Sequence, residues 1–599
     1  MNRKENGMLP FRFYHRQVTR YFNPVKPNMV SLKLRVRPKS EATCQVWYLE
    51  EDWQPKIMYP FAYTPKSVYY QTFVTTSKPQ LKYFFQLVCN GFSYWVGSSG
   101  VEAGIDFPED LQPFCGSWQP EQVFVVPDWV QSAVFYQIFP ERFYNGDPSN
   151  DPPNTEPWGG IPTRTNFFGG DLQGIAAKIR YLAELGVNAV WLNPIFASVS
   201  NHKYDTMDFR KVDPHFGDLA TFDHLVDIFR QHQIKLVLDC VFNHTGDEFW
   251  AFEDIVQHGY ASRYIDWYYI YDCPICKHPP NYACWWDFAD LPKLNVKNPE
   301  VRKYLLETAA LWTKRGADGW RLDVPNEVEH KFWQEFRQVV KGIDPETYIV
   351  GEIWRDGRPW LQGDQFDGVM NYLFRDLVID CFAKDRIGLK TFDYLLGLIR
   401  LRYPEQVHGC LLNLLGSHDT ARIITEFISH LPHGLTEKEA YQTAKDRLRP
   451  ALIFQMTYLG APMVYYGDEV GMTGGPDPGC RSTMGWVKDC HDQELFSLYK
   501  TLITIRHKHP VLKTGTFETL FADDHRGLYY YLRRNEQEIA IVVLNKHQEL
   551  HGLVITLPQV PPDIVFSDCS TGYSYPVSGN QLALPRVQGF GGIILTGEL

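Results

Sequence analysis

The chain has 599 residues, of which 44% are apolar and 15% aromatic. That is enough for several cores, three or four domains at roughly 100–200 residues each. Its formal net charge of −11, with no run of Lys and Arg, argues against nucleic acid or an anionic membrane surface as partner. No stretch reaches the roughly 18 apolar residues of a membrane span. The opening segment MNRKENGMLPFRFYHRQ has no apolar core of a signal peptide. The expectation is a soluble, cytoplasmic protein, in which the 12 cysteines are buried thiols rather than disulfides.

In chain order, residues 30 to about 98 read as short alternating strands, among them VSLKLRVRP, CQVWYLEE and VYYQTFVTT. The spacing predicts a β-sandwich, and the stretch around Pro113 to Pro127 reads as a linker. From Val134 the pattern changes. AVFYQIF, NAVWLNP, KLVLDCV, ADGWRLDV, TYIVGEIW, FDGVMNY, GCLLNLLGSHD and APMVYYGDE alternate with amphipathic helical segments such as DLQGIAAKIRYLAELG. Eight strands alternating with helices predict a (β/α)8 TIM barrel. Too many residues, about 244–298, separate the third and fourth strands for a simple crossover, so an inserted subdomain is placed there. After about Pro510, LYYYLRR, IAIVVLN and GGIILTG predict a second β-sandwich. The expected units are 1–125, 126–510 and 511–599.

Residues at the C-terminal ends of barrel strands face the active site. There the chain places Asp239, Asn243 and His244 after strand three, Arg321 and Asp323 after strand four, Glu352 after strand five, and His418 and Asp419 after strand seven. A single such Asp reads as a helix cap or salt-bridge partner, but four strands converging on one rim point to chemistry. Cleavage of a glycosidic bond needs two carboxyls flanking it. Asp323 suits the nucleophile, because Arg321 lies two positions earlier on the same face and keeps it ionised. Glu352 then serves as the protonated acid, with Asp419 and the two histidines bonding sugar hydroxyls.

DCVFNH (Asp239–His244), GWRLDVPNE (Gly319–Glu327), GEIW (Gly351–Trp354) and GSHD (Gly416–Asp419) resemble, in order, the four short motifs of the α-amylase family of glycoside hydrolases. APMVYYGDE (Ala461–Glu469) resembles a further motif at the eighth strand. The resemblance implies that Tyr204, in HKYDT, stacks on the sugar at the cleaved bond. It also implies that His244 and His418 touch that sugar's hydroxyls, and that Arg321 orients Asp323. LPKLN (Leu291–Asn295) is similar to a signature of the neopullulanase, cyclomaltodextrinase and maltogenic amylase branch, which also carries an N-terminal β-module. That branch implies an α-glucan oligosaccharide substrate and a homodimer in which each module narrows its partner's cleft. An α-glucosidase acting on short linear oligosaccharides is the nearer rival, and a catalytically inactive relative the more distant one. Pro325 stands where the branch has Ala. With Asn326, Glu327 and Trp354 it bears on the acceptor side and on transglycosylation.

Two clusters concern metals. Asn145, Asp147, Asn150 and Asp151 in NGDPSND, with Gly169 and Asp171 in FFGGD, offer hard oxygen donors. They read as a polar turn or as a structural Ca²⁺ site, and the resemblance implies Ca²⁺. Cys273, Cys276, His278 and Cys284 have spacing that could hold Zn²⁺, against the plainer reading of unligated thiols. No organic cofactor is expected.

Overall fold

The computed structural model describes residues 11–37, 42–89, 91–487, 491–557, 560–561 and 563–599. Residues up to Ser117 form a ten-stranded antiparallel assembly. Trp53–Thr64 serves both of its layers: its first half pairs with Thr43–Leu49 and its second with Ser67–Thr75. Between the layers lie Val30, Leu32, Leu34, Val46, Tyr83, Phe85 and Leu87, all buried. They come from alternate positions, as a sandwich core requires. The stretch expected to be a linker begins with a strand: Phe114–Ser117 pairs antiparallel with Gln80–Tyr83. Its anchor is apolar, the Phe114 ring lying 5.4 Å from that of Tyr83 at 24°.

The barrel strands are β1 (Phe135–Ile138), β2 (Ala189–Leu192), β3 (Lys235–Cys240), β4 (Gly319–Leu322), β5 (Tyr348–Gly351), β6 (Gly368–Val369), β7 (Leu412–Leu414) and β8 (Ala461–Tyr465). They correspond one for one with the eight apolar runs of the sequence. Their order is β6-β5-β4-β3-β2-β1-β8-β7, all parallel, and a parallel bridge from Met370 to Leu412 completes the ring. Both faces of these strands are buried, which is why they read as continuous apolar runs rather than alternating ones. Between β3 and β4 the chain leaves the barrel through helix Trp250–His258 and several single turns. It returns along residues 291–295, where Lys293 bridges His244 and Leu294 bridges Tyr268. Among the described residues no helix is long and apolar enough to cross a membrane.

The C-terminal eight-stranded sheet assembly is built on Leu528–Arg534, a strand buried on both faces. Leu528, Tyr530 and Leu532 enter the assembly's own core. Tyr529 and Tyr531 join the barrel's core, with rings 6.3 and 5.9 Å from that of Phe454. Period-two alternation thus gives one strand two partners. Two fully buried arginines seal the joint. Arg506 donates to the carbonyls of Met456 at 2.9 Å, Gly460 at 2.6 Å and Leu512 at 3.2 Å. Arg533 donates to those of Leu512 and Gly515, both at 2.9 Å. Burial lowers their pKa values to about 9 and about 10, and the carbonyl dipoles solvate the charges in place of water.

Replacing Arg506 by Met removes the cation but strands several buried carbonyls, each unsatisfied group costing about 1–3 kcal/mol. Arg506→Met is expected to lower stability by about 3 kcal/mol, read as a drop in the urea midpoint. An unchanged midpoint would show that the carbonyls find other partners.

Candidate active site

Strand register assembles the site. Asp239 on β3 is the Cα partner of Arg321 on β4, and Leu322 on β4 is the partner of Gly351 on β5. Asp323 and Glu352 therefore emerge side by side, one residue beyond their strands. Arg321 is fully buried beneath them. Its Nη1 lies 3.0 Å from Asp239 Oδ1 and 2.7 Å from Asp323 Oδ1, and its Nη2 lies 3.0 Å from Glu352 Oε2. One cation thus faces three carboxylates.

That ratio changes the electrostatics expected from the sequence. Burial raises the Asp239 carboxyl to about 6, although Arg321 acts against it. Asp323 is pushed well above the usual carboxylate range, first by burial and then by the charge of Glu352. Arg321 alone therefore does not keep Asp323 ionised, because its charge is divided three ways. On the far side, burial and then Glu352 raise Asp419 to about 7. Its Oδ1 lies 3.3 Å from His418 Nε2 and 3.4 Å from Arg481 Nη2.

Tyr204 and His418 form one wall, their rings 5.5 Å apart and 3° from parallel. The Tyr204 hydroxyl donates to Asp239 Oδ2 at 2.8 Å and lies 2.8 Å from His418 Nε2. Gln137 Nε2 donates to His418 Nδ1 at 2.8 Å, so the ring proton belongs on Nε2. Burial and then Arg481 hold His418 well below its ordinary pKa, and it is neutral. Burial lowers His244 to about 3. Its ring stacks on Trp285 at 5.6 Å, and its buried Nε2 has no partner. Beside it, Lys293 Nζ donates to Glu327 Oε2 at 2.8 Å. Trp354, 47% exposed at the rim, donates from Nε1 to Glu352 Oε1 at 2.9 Å and stacks on Tyr372 at 3.8 Å.

Val324, just before Pro325, sits at φ +36° in the left-handed region, where a β-branched residue is strained by about 1–3 kcal/mol. In that conformation its amide donates to Glu352 Oε2 at 3.2 Å.

The structure also adds residues that the motifs did not single out. Trp191 Nε1 donates to Asp239 at 3.2 Å, with the Arg321 guanidinium 5.0 Å from its ring centre. Gln137 sets the His418 tautomer, and Arg481 holds Asp419. Gln137 is a polar residue inside the buried run AVFYQIF, and that was a usable signal. Trp191 reads as ordinary core, and Arg481 lies in a loop without a motif.

Of the residues considered for a cation, Asn145, Asp151 and Gly169 come together. Asn145 Nδ2 donates to Asp151 Oδ1 at 2.7 Å, while Asn145 Oδ1 is buried without a partner. Gly169, at φ +81°, leaves no room for a Cβ against these side chains. Asp147 accepts from Ser149 at its turn. Asp171 is committed to backbone amides, among them Asp147 at 2.8 Å and Gly174 at 2.5 Å, and Asn150 Nδ2 lies 3.5 Å from Asp171 Oδ2. The unpaired amide oxygen and the neighbouring carboxylate suit a hard cation. Cys273, Cys276, His278 and Cys284 are not gathered. The Cys276 thiol lies 3.6 Å from the His278 carbonyl, and Cys276 is exposed while Cys273 and Cys284 are only partly buried. Among the described residues no three His, Cys, Asp or Glu side chains stand close enough together to hold a metal.

A closed parallel barrel with paired carboxyls at its C-terminal rim defines a glycoside hydrolase site. The α-amylase catalytic domain model matches residues 137–490, and the chain belongs to the α-amylase family. It is 42% identical to neopullulanase 2 of Thermoactinomyces vulgaris, over 98% of this chain and 99% of that one. It is also 42% identical to a cyclomaltodextrinase of Thermoanaerobacter pseudethanolicus, over 93% and 96%. A solved cyclomaltodextrinase superposes with a TM-score of 0.82 at 37% identity, covering 98% of this chain and 99% of that one.

The raised carboxyls bind protons in the fold that the unfolded chain releases near pH 4. Stability contributed by the site therefore falls as pH rises from about 4 towards about 7, the Asp419 value. Asp419→Asn removes one of these charges. It is expected to stabilise the protein at pH 8, by an amount on the order of 1 kcal/mol, and to change little at pH 4. Melting curves of both proteins at the two pH values check this, and an equal shift at both would refute it.

Proposed function

We propose that this enzyme hydrolyses α-1,4 and some α-1,6 glucosidic bonds in cyclodextrins, pullulan and short maltooligosaccharides, with retention of configuration and some transfer to sugar acceptors. The observation that carries the reading is the Asp323–Glu352 pair. Two carboxyls held on the two ends of one guanidinium, Asp323 Oδ1 2.7 Å from Arg321 Nη1 and Glu352 Oε2 3.0 Å from Nη2, fit the short separation of retaining glycosidases, not the wider gap that accommodates an inverting water. In the reacting form Glu352 carries the proton and Asp323 is the carboxylate beside Arg321. Asp323 forms a bond to the anomeric carbon while the glycosidic C–O bond breaks. The departing oxygen keeps that electron pair and takes the Glu352 proton. Glu352 then deprotonates water, or an acceptor sugar's hydroxyl, which displaces Asp323. Asp419, His418 and the free Nε2 of His244 bond hydroxyls of the same glucose unit, Tyr204 stacks on it, and Glu327 and Trp354 line the acceptor side. Residues 126–510 carry this chemistry, flanked by the units 1–125 and 511–599. The names of the relatives supply the choice of glucans. The described cysteines other than Cys89 are free thiols, which fits a reducing, cytoplasmic setting.

Glu352→Gln keeps the shape but removes the proton donor. Turnover on maltotriose is expected to fall by about 10²–10⁴-fold, with substrate still bound. NMR of the first-formed product should show the α-anomer; early β-anomer would mean inversion and a different role for Asp323.

The Asn145, Asp151 and Gly169 cradle, with Asp147, Asn150 and Asp171 around it, is proposed to hold a structural Ca²⁺. A cation bound only by the folded state raises the melting temperature through linkage. Chelation should therefore lower it and added Ca²⁺ restore it; identical melting curves would remove the site.

A homodimer in which each N-terminal sandwich borders its partner's cleft is proposed as the working form, an isologous pairing being the commonest closed assembly. Light scattering at micromolar concentration should give twice the 69.6 kDa chain mass. A single-chain mass would rule the dimer out.

A further inference from the structure

A cavity of about 370 Å³ lies where the N-terminal sandwich meets the barrel. That is within the size of small-ligand sites. Arg20 and Lys33 reach it from the sandwich, and Arg358 and Arg402 from the barrel. Two of these cations are already neutralised. Lys33 is buried against Glu405, which also accepts from Gln71 at 3.0 Å, and Arg358 pairs with Asp356 at 2.5 Å. Among the described residues neither Arg20 nor Arg402 has a carboxylate at ion-pair distance. Burial and the positive field of Arg20 together lower the Lys33 pKa. On a chain of net charge −11 this concavity is a local exception, and concave walls of one sign concentrate ions of the other.

The remaining lining limits the ligand. Leu398, Leu401 and Tyr403 give an apolar wall behind the cations, and the volume exceeds what a bare inorganic anion fills. Guanidinium forks match phosphate oxygens, two bonds at a time. We propose that this interdomain cavity is a binding site for a hexose phosphate monoester, with its phosphate between Arg20 and Arg402 and its sugar against Leu398, Leu401 and Tyr403. The site is tied to the chain segment that follows Glu352, since the Gly357 amide donates to the Tyr403 hydroxyl at 3.2 Å.

Calorimetric titration of the full-length protein with glucose 6-phosphate, inorganic phosphate and glucose tests the assignment. Glucose 6-phosphate is expected to bind one per chain, at least tenfold more tightly than inorganic phosphate. Glucose should show no binding that the double variant R20Q/R402Q removes. That variant keeps the partnered Lys33 and Arg358 and is expected to weaken glucose 6-phosphate at least tenfold, its ligand-free melting temperature serving as the check on folding. No binding at millimolar concentration overturns the site, as does equal binding by the variant. Inorganic phosphate binding as tightly as the ester overturns the hexose part.

Discussion

The site depends on one buried cation. Arg321 holds Asp239, Asp323 and Glu352 around a single guanidinium, and a charge so placed is tolerated only when its hydrogen bonds and counter-charges are supplied by rigid neighbours. Parallel strands in fixed register supply them, because β3, β4 and β5 end at matched heights. The excess of negative charge is the working feature. Together with burial it raises Asp239, Asp323 and Asp419 above the usual carboxylate range. The cost is a site less stable at neutral pH than a neutral one would be, the usual trade between stability and activity.

Everything outside the ring of strands acts to keep this geometry closed. The C-terminal assembly presses Tyr529 and Tyr531 into the barrel's core, and Arg506 and Arg533 bind the joint through carbonyls rather than acids. The N-terminal sandwich meets the barrel through the buried Lys33–Glu405 pair and Arg400, which donates to the Phe61 carbonyl at 3.2 Å. The segment that returns from the insertion places Lys293 beside His244 and Glu327, so this part of the rim is built from pieces distant in sequence. Val324 adds a strained amide directed at Glu352.

An aromatic surface extends outward from His244. Trp285 stacks on His244 within and on Trp286 at 5.0 Å without, and Trp286 is 74% exposed. Flat rings in series suit the apolar faces of sugar units, and they place the high aromatic content of the chain at the cleft as well as in the cores.

The sequence by itself determined the barrel and most of its rim. The eight apolar runs and the positions of Asp323, Glu352, Asp419, Arg321 and His418 are local patterns, set by strand burial and by which residues follow a strand end. The strand at Phe114–Ser117 was missed because its support is a ring partner about 30 residues away, Tyr83, and not its own alternation. Tertiary structure alone decided the protonation of Asp323, because pKa depends on burial and on how many carboxylates share Arg321. It alone brought in Trp191 and Arg481, whose types are common and whose roles come from contacts. It separated Cys273, Cys276, His278 and Cys284, whose spacing suggested a cluster, and gathered Asn145, Asp151 and Gly169. Spacing records what a backbone could bring together; side-chain direction and burial decide what it does bring together.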